Sequence, residues 1–174
     1  MLVDYKYCPR CAATLETVAI PKSSPFSRRK CPDCGWIFWN NSRPTAGGLI
    51  LDDQNRLMLI RRGIEPSLGL WDLPGGFLEP GEHPLDGCIR ELLEETGAVV
   101  EPVGFHGVFM DTYGPNPDDH THNTFYMCKV VGGEIAAADD AEELAWFAYA
   151  DIPWTELAFK NVTEAVELWG GKPL

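Results

Sequence analysis

The stretch from Gly76 to Ala98, GFLEPGEHPLDGCIRELLEETGA, constrains this chain most. Its second half is predicted to be a helix. Glu82-His83-Pro84 suits a helix start, because Pro fits the first turn, where its missing N–H costs nothing. Gly97 suits the end, since a residue without Cβ accepts the left-handed conformation that closes a helix. At about 100° per residue, Leu85, Ile89, Leu92 and Leu93 fall on one apolar face. Glu91 and Glu95, four apart, share the other face with Glu94 beside them. Gly87 lies on that carboxylate face, one turn before Glu91, and leaves room for something to approach closely.

Three crowded carboxylates repel one another. Two unit charges ~5.5 Å apart at an effective dielectric of ~20 cost roughly 3 kcal/mol. A bound divalent cation reverses the sign of that interaction, and an all-oxygen donor set suits Mg²⁺ or Mn²⁺ better than zinc. A solvated acidic helix face is the alternative. The rest of the stretch decides between them, because it resembles the Nudix box of the Nudix hydrolases. That pattern is Gly, five residues, Glu, seven residues, Arg-Glu, an aliphatic, any residue, Glu-Glu, any residue, Gly and an aliphatic. Gly76, Glu82, Arg90, Glu91, Leu92, Glu94, Glu95 and Gly97 all fall in place. Ala98 departs from it, being small where a bulky aliphatic is usual. The preceding run GLWDLPGGFLEPGE is also typical of Nudix enzymes.

The first 43 residues read as a separate module. Cys8-Pro-Arg-Cys11 and Cys31-Pro-Asp-Cys34-Gly35 are two Cys-x-x-Cys knuckles with nineteen residues between them, the spacing of a tetrahedral zinc site. Four protein ligands leave no open position, so a zinc held by Cys8, Cys11, Cys31 and Cys34 is structural. The segment resembles a zinc ribbon. The aromatic run Trp36-Ile37-Phe38-Trp39 follows, to pack the ribbon onto the second domain, onto a subunit partner or against a substrate base. Residues 40–44, Asn-Asn-Ser-Arg-Pro, form the junction. The predicted domains are a ribbon over 1–43 and a Nudix domain over 44–174.

Charge divides the same way. The net charge is −12, yet residues 1–43 hold seven basic and three acidic residues, leaving seven basic and 23 acidic residues beyond. The acidic part argues against broad nucleic-acid binding. No apolar run is long enough to span a membrane, and MLVDYKYCPR holds no apolar signal segment, so a cytoplasmic location is expected.

Strands are predicted over 45–52 and 56–62, around a turn at Asp52-Asp53-Gln54-Asn55, and over 99–111, 123–131 and 144–148. Residues 113–122 form a polar loop carrying His120 and His122, either solvated or metal-binding. Residues 136–143 form an acidic loop. After Asp151-Ile152-Pro153 comes a last helix, with Leu157, Val162, Ala165, Val166 and Trp169 available for packing. Cys88 and Cys128 read as buried structural thiols. Strands around a central helix, with a helix at the end, predict an α/β fold with a mixed sheet between helices. The resemblance implies the Nudix α/β/α sandwich.

It also implies the reaction: metal-dependent hydrolysis of the diphosphate in a nucleoside diphosphate linked to another moiety. By the same resemblance Glu91, Glu94 and Glu95 hold Mg²⁺ or Mn²⁺, with a carbonyl near Gly75 or Gly76. Glu94 binds metal or takes the proton of the attacking water, and Arg90 orients carboxylates such as Glu82 and Glu91. Nudix enzymes often place a further acid ahead of a Trp-Phe strand, here Trp146-Phe147, which makes Glu142 and Glu143 candidates for a second base or a metal contact. Arg61 or Arg62 is placed to meet a substrate phosphate. Trp71, Phe109, Tyr113 and Trp146 are candidates to stack on a base.

A ribbon ahead of a Nudix domain is similar to the NADH pyrophosphatases, whose Ser-Gln-Pro-Trp-Pro-Phe-Pro segment is replaced here by GFHGVFMDTYGPNP. It is also similar to FAD and ADP-ribose pyrophosphatases, which share RRGIEPSLGLW in similar form. The marker positions beyond the box hold both Tyr113 and Pro115, fitting diadenosine polyphosphate and ADP-ribose enzymes alike. The expected substrate is an ADP-linked diphosphate such as ADP-ribose or FAD, giving AMP. The resemblance allows a homodimer. The reading from another class is a ligand-sensing Nudix regulator whose ribbon touches nucleic acid through Arg28-Arg29-Lys30.

Overall fold

The box helix, α1 (Pro84–Thr96), forms between the caps its sequence predicts. His83 accepts a hydrogen bond from the Leu85 N–H at 3.2 Å through Nδ1, and Pro84 takes the first turn. Gly97 closes the helix at φ 64°, where its N–H reaches the Leu93 carbonyl. The buried face differs from the predicted one. Cys88, Leu92 and Thr96 are fully buried, whereas Ile89 and Leu93 are 37% and 48% exposed. The helix is turned about its axis because Glu95, also buried, must reach the Gly75 N–H at 2.8 Å. That turn brings the carboxylate face inward and carries two leucine-like positions out.

The computed structural model describes residues 5–21 and 25–173. The chain divides into two compact units, Met1–Ser42 and Arg43–Leu174. The first is a three-stranded antiparallel sheet of β1 (Glu16–Ala19), β2 (Ser27–Lys30) and β3 (Ile37–Phe38). Among the described residues its buried core is Cys8, Leu15 and Cys31, with Ala13 and Trp36 against it. Two members of the aromatic run pack within the ribbon: Trp36 stacks on Phe38, and Tyr5 meets Phe38 edge-on at 4.7 Å, while Trp39 is 47% exposed.

The second unit holds a mixed sheet in the order β10–β5–β4–β9–β8. These strands are β4 (Arg43–Leu51), β5 (Leu57–Arg62), β8 (Ala98–Thr112), β9 (His120–Gly133) and β10 (Ala141–Phe147). Short strands β6 (Trp71–Asp72) and β7 (Gly75–Phe77) pair with β5 and β4. Only β4 and β9 run parallel; the other pairs are antiparallel. Both faces are covered, so the central strands are apolar on both sides. Ile50 and Met58 pack with Cys88 and Leu92 of α1. Leu49, Leu51, Leu57 and Leu59 face Val162, Ala165, Val166 and Trp169 of α2 (Lys160–Trp169). Cys128, like Cys88, is fully buried.

Two predicted loops are shorter than expected. β9 begins at His120, so His120 and His122 are exposed strand residues, and Tyr113 N–H closes the remaining loop on the Asp119 carbonyl at 2.9 Å. β10 begins at Ala141, which places Glu142 and Glu143 in a strand paired with β5. No helix among the described residues is long and apolar enough to cross a membrane.

Candidate active site

A cavity of about 370 Å³ opens over the C-terminal half of α1, β7 and the ends of β6, β8 and α2. Arg90 organises one side. Its guanidinium forks onto Glu82, with both bonds at 2.8 Å, and reaches Glu91 at 2.7 Å and Glu94 at 3.0 Å. It also donates to the Phe77 carbonyl at 3.2 Å. One planar donor thus fixes three carboxylates and the loop that faces them. The fork, with the Glu79 N–H, holds the Glu82 carboxyl at about 2, well below its usual range.

Glu91 stands directly over Gly76. A Cβ on Gly76 would lie 2.6 Å from three atoms of the Glu91 carboxyl group. Gly76→Ala is therefore expected to leave the backbone unstrained but displace that carboxylate. A loss of activity of about tenfold or more, at nearly unchanged thermal unfolding, is the expected outcome in a paired activity and melting assay. Wild-type turnover by the variant would remove Gly76 from the site.

Glu95 is only 7% exposed. Burial, followed by the charges of Asp72, Glu91 and Asp140, pushes its carboxyl up to about 8 against the pull of the Gly75 N–H. Burial also raises Glu91. Asp72, likewise buried, is raised to about 6 although Arg62 donates to it at 2.9 Å. These are groups that burial and like charge hold back from ionising.

The expected site residues separate here. Glu91, Glu94, Glu95, Arg90, Gly76, Arg62 and Tyr113 all line the cavity. Arg61, Trp71 and Glu143 are not among the lining residues. Arg61 donates to Glu143 at 2.9 Å and to the Gly69 carbonyl, and it stacks over Trp71 at 4.4 Å. Trp71 belongs to the core on the α2 side, and Phe109 and Trp146 pack against core clusters. The acidic loop does reach the cavity, but through Asp139 and Asp140, just before the pair chosen from sequence. It is pinned by Ala138 N–H to the Glu95 carbonyl and by Gly63 N–H to the Asp140 carbonyl. The start of β10 set this register, and nothing in the composition of the loop marks it. Asp72, Asp111, Phe159 and Asn161 also line the cavity and were not singled out by sequence. Asp72 sat within the GLWDLPGG run; the others carried no local signal.

Eight carboxylates line the cavity: Asp72, Glu79, Glu91, Glu94, Glu95, Asp111, Asp139 and Asp140. The only cationic side chains in the lining are Arg62 and Arg90. Both are spent: Arg62 donates to Asp72, the Pro66 carbonyl and the Tyr113 hydroxyl.

In the first unit the four cysteine sulfurs lie within 4.8 Å of one another. Cys8 and Cys34 are 3.5 Å apart, Cys11 and Cys31 3.4 Å. The edge of a ZnS₄ tetrahedron with ~2.3 Å bonds is about 3.8 Å, so the set fits the ion. Backbone N–H groups of Arg10 and Cys34 point at the Cys8 and Cys31 sulfurs, both at 3.4 Å. The two knuckles match: Ala12 at φ 61° in one takes the place of Gly35 at φ 75° in the other.

The family model for the NUDIX domain matches residues 41–166. An ADP-ribose pyrophosphatase of Methanocaldococcus jannaschii is 36% identical over 112 residues, 64% of this chain and 64% of that protein. An NAD-capped RNA hydrolase, NudC, of Chromobacterium violaceum is 26% identical over 152 residues, 86% of this chain and 52% of that protein. The chain therefore spans about half to two thirds of the length of these curated relatives. A crystal structure of a NUDIX hydrolase from Nitrosomonas europaea matches with a TM-score of 0.78 and 27% identity, over 93% of this chain and 88% of that one.

Proposed function

The chain belongs to the Nudix family, and from that premise we propose that it hydrolyses the diphosphate of a nucleoside diphosphate linked to another moiety. ADP-ribose or an FAD-like dinucleotide is the substrate that fits best, with AMP as a product. One observation carries this reading. The cavity sets eight carboxylates against two arginines that are already paired, so its lining offers no uncommitted cation to an anionic diphosphate. Only a divalent cation held by Glu91, Glu94 and Glu95 reconciles that lining with such a substrate. The donor set is all oxygen, and its buried members are held back from ionising first by burial and then by neighbouring carboxylates, which is the environment a hard cation relieves. When bound, Mg²⁺ or Mn²⁺ would supply charge stabilisation to the phosphate oxygens and lower the pKa of a water molecule.

The chain's own residues then position and move a proton. Arg90 holds Glu82, Glu91 and Glu94 in fixed orientations. Glu94, about half exposed, either ligates or accepts the proton of the attacking water. Asp140 takes over from Glu143 as the candidate second base, because it lines the cavity while Glu143 pairs with Arg61. Arg62 braces Asp72 and Tyr113 at the cavity wall. The four cysteines of the ribbon would hold a structural zinc.

The test is Mg²⁺-dependent hydrolysis by zinc-replete protein across ADP-ribose, FAD, NADH, diadenosine polyphosphates and nucleoside triphosphates, with every product identified. The expected result is one preferred ADP-linked substrate giving AMP. NADH belongs in the panel because the NudC relative aligns over 86% of this chain. Pyrophosphate released from triphosphates would overturn the substrate class. No turnover on any substrate would favour a ligand sensor.

A further inference from the structure

The cavity has a cation at its mouth that its lining does not include. Arg43 opens β4, and the register of the sheet puts it on the face that carries the site. Side chains two apart on a strand share a face, and laterally paired ones do as well. Arg43 pairs with Thr121 of β9, and Thr121 with Asp111 of β8. Thr45, two residues after Arg43, pairs with Asn123 of β9 and with Phe77 of β7. Thr45, Phe77, Asp111, Thr121 and Asn123 all line the cavity. Arg43 continues their row outward. Its guanidinium lies over the Phe77 ring, 5.2 Å from the centroid. Phe77 follows Gly76, over which Glu91 stands, and its carbonyl accepts from Arg90 at 3.2 Å. The order from the carboxylate cluster to the mouth is therefore Gly76, Phe77, Arg43.

Arg43 is loosely held. Its ion pair with Asp119, just before β9, spans 3.6 Å, longer than a charge-assisted hydrogen bond, and the two side chains are 47% and 36% exposed. The carboxylate contacts of Arg62 and Arg90 lie between 2.7 and 3.0 Å. An exposed pair as long as that of Arg43 contributes little to stability, so exchanging Asp119 for another anion costs little. A phosphate can accept two guanidinium N–H groups at once and so outcompetes a carboxylate held at that distance. An anion entering the cavity also meets the field of its carboxylates, which a cation at the mouth offsets.

We propose that Arg43 is a substrate-binding residue: it releases Asp119 and takes the phosphate that lies farther from Glu91, Glu94 and Glu95. This rests on the reading of the cavity as a nucleoside diphosphate site. It gives the substrate a protein cation that the lining does not offer, and it makes Asp119 an internal anion that competes for the same guanidinium.

The test reads the sign of two substitutions. Arg43→Ala and Asp119→Asn both break the ion pair, so a pair that only braces the mouth moves binding the same way in both. The backbone bonds of Asp119, to the Asn116 carbonyl and from the Tyr113 N–H, do not depend on its side chain. Adenosine 5′-(α,β-methylene)diphosphate, whose P–C–P bridge resists hydrolysis, is titrated calorimetrically into the full chain in Mg²⁺ at low and high salt, with thermal unfolding as a check on folding. Arg43→Ala is expected to weaken binding about fivefold or more and to flatten its salt dependence. Asp119→Asn, which frees the guanidinium, is expected to tighten binding about twofold or more. Arg43→Lys, with the charge but without the fork, should fall between Arg43→Ala and the parent. In the hydrolysis assay the loss in Arg43→Ala should fall more on KM than on kcat. Weaker binding in both Arg43→Ala and Asp119→Asn, no change in either, or no measurable binding by the parent overturns the proposal. Hydrolysis of a diphosphate substrate with binding indifferent to Arg43 would sink this inference alone. Arg43-dependent binding of the analogue without hydrolysis of any substrate would sink the enzymatic reading alone.

Discussion

Replacing Glu95 with Gln is expected to lower Mg²⁺-dependent turnover by roughly 100-fold or more while the fold survives. Gln keeps the shape of the side chain, and its carbonyl oxygen can still accept from the Gly75 N–H, now 2.8 Å from the carboxylate. What disappears is a buried charge. The ordinary glutamate value is 4.5, and burial with three neighbouring carboxylates raises Glu95 to about 8. A carboxyl raised on folding contributes stability that is fully present below 4.5 and lost as pH rises through about 8. Gln never ionises, so this loss is absent in the variant. In Mg²⁺-free buffer the two proteins should melt together near pH 4, and Glu95→Gln should melt higher at pH 9. Asp72 destabilises both proteins equally over its own window, from 3.8 to about 6. With Mg²⁺ added at pH 9 the parent should gain stability and the variant much less, because only the parent binds the ion with full charge. Near-normal kcat in the variant removes Glu95 from the metal set. A variant that melts below its parent at pH 9 without metal removes the account of a buried carboxyl held back from ionising.

The same residues show what a sequence carries and what it leaves out. The caps of α1 were legible because they are local: His83, Pro84 and Gly97 act within one turn of the helix they bound. The carboxylates were legible because their spacing is set by the helix alone. The rotation of α1 was not, because a helix with leucines at Leu85, Leu92 and Leu93 gives no sign that Glu95 must reach across to Gly75. Hydrophobic periodicity therefore chose Ile89 and Leu93 for the interior, where the structure exposes both. A tertiary hydrogen bond and the Arg90 network outweighed the pattern. The acidic loop is legible in the sequence, but which of its acids lines the cavity is not. Its register depends on where β10 joins β5, and Arg61, at the end of β5, captures Glu143 and leaves Asp139 and Asp140 to the cavity. Sequence offers Arg61 or Arg62 to a substrate phosphate; the fold pairs Arg61 with Glu143 and Arg62 with Asp72, a single residue inside a glycine-rich run. Asn161 lies beyond any local rule, because its place in the cavity wall is set where the first turn of α2 meets Asp111 at the end of β8.

Removing one cysteine of the ribbon is expected to abolish its structure while the sheet of the larger unit survives. The first unit has 42 residues, and Leu15 is its one buried hydrophobic besides cysteine among those described. A segment of that size rarely folds on burial alone. The four sulfurs compensate only when an ion holds them together, a contribution of about 10 kcal/mol or more in apparent terms. Cys31 is fully buried and carries the N–H of Cys34 on its sulfur, so Cys31→Ser removes a ligand and the turn it organises. Elemental analysis of the parent should give one zinc per chain, and of the variant much less. Hydrogen exchange read peptide by peptide should show β1, β2 and β3 losing protection in the variant, with the strands from β4 to β10 retaining theirs. The two sets of peptides serve as each other's controls. Loss everywhere would mean that the larger unit depends on the ribbon to fold. Full protection of residues 16–38 in a zinc-free variant would mean that these strands stand without the ion, and the zinc assignment would fail with them.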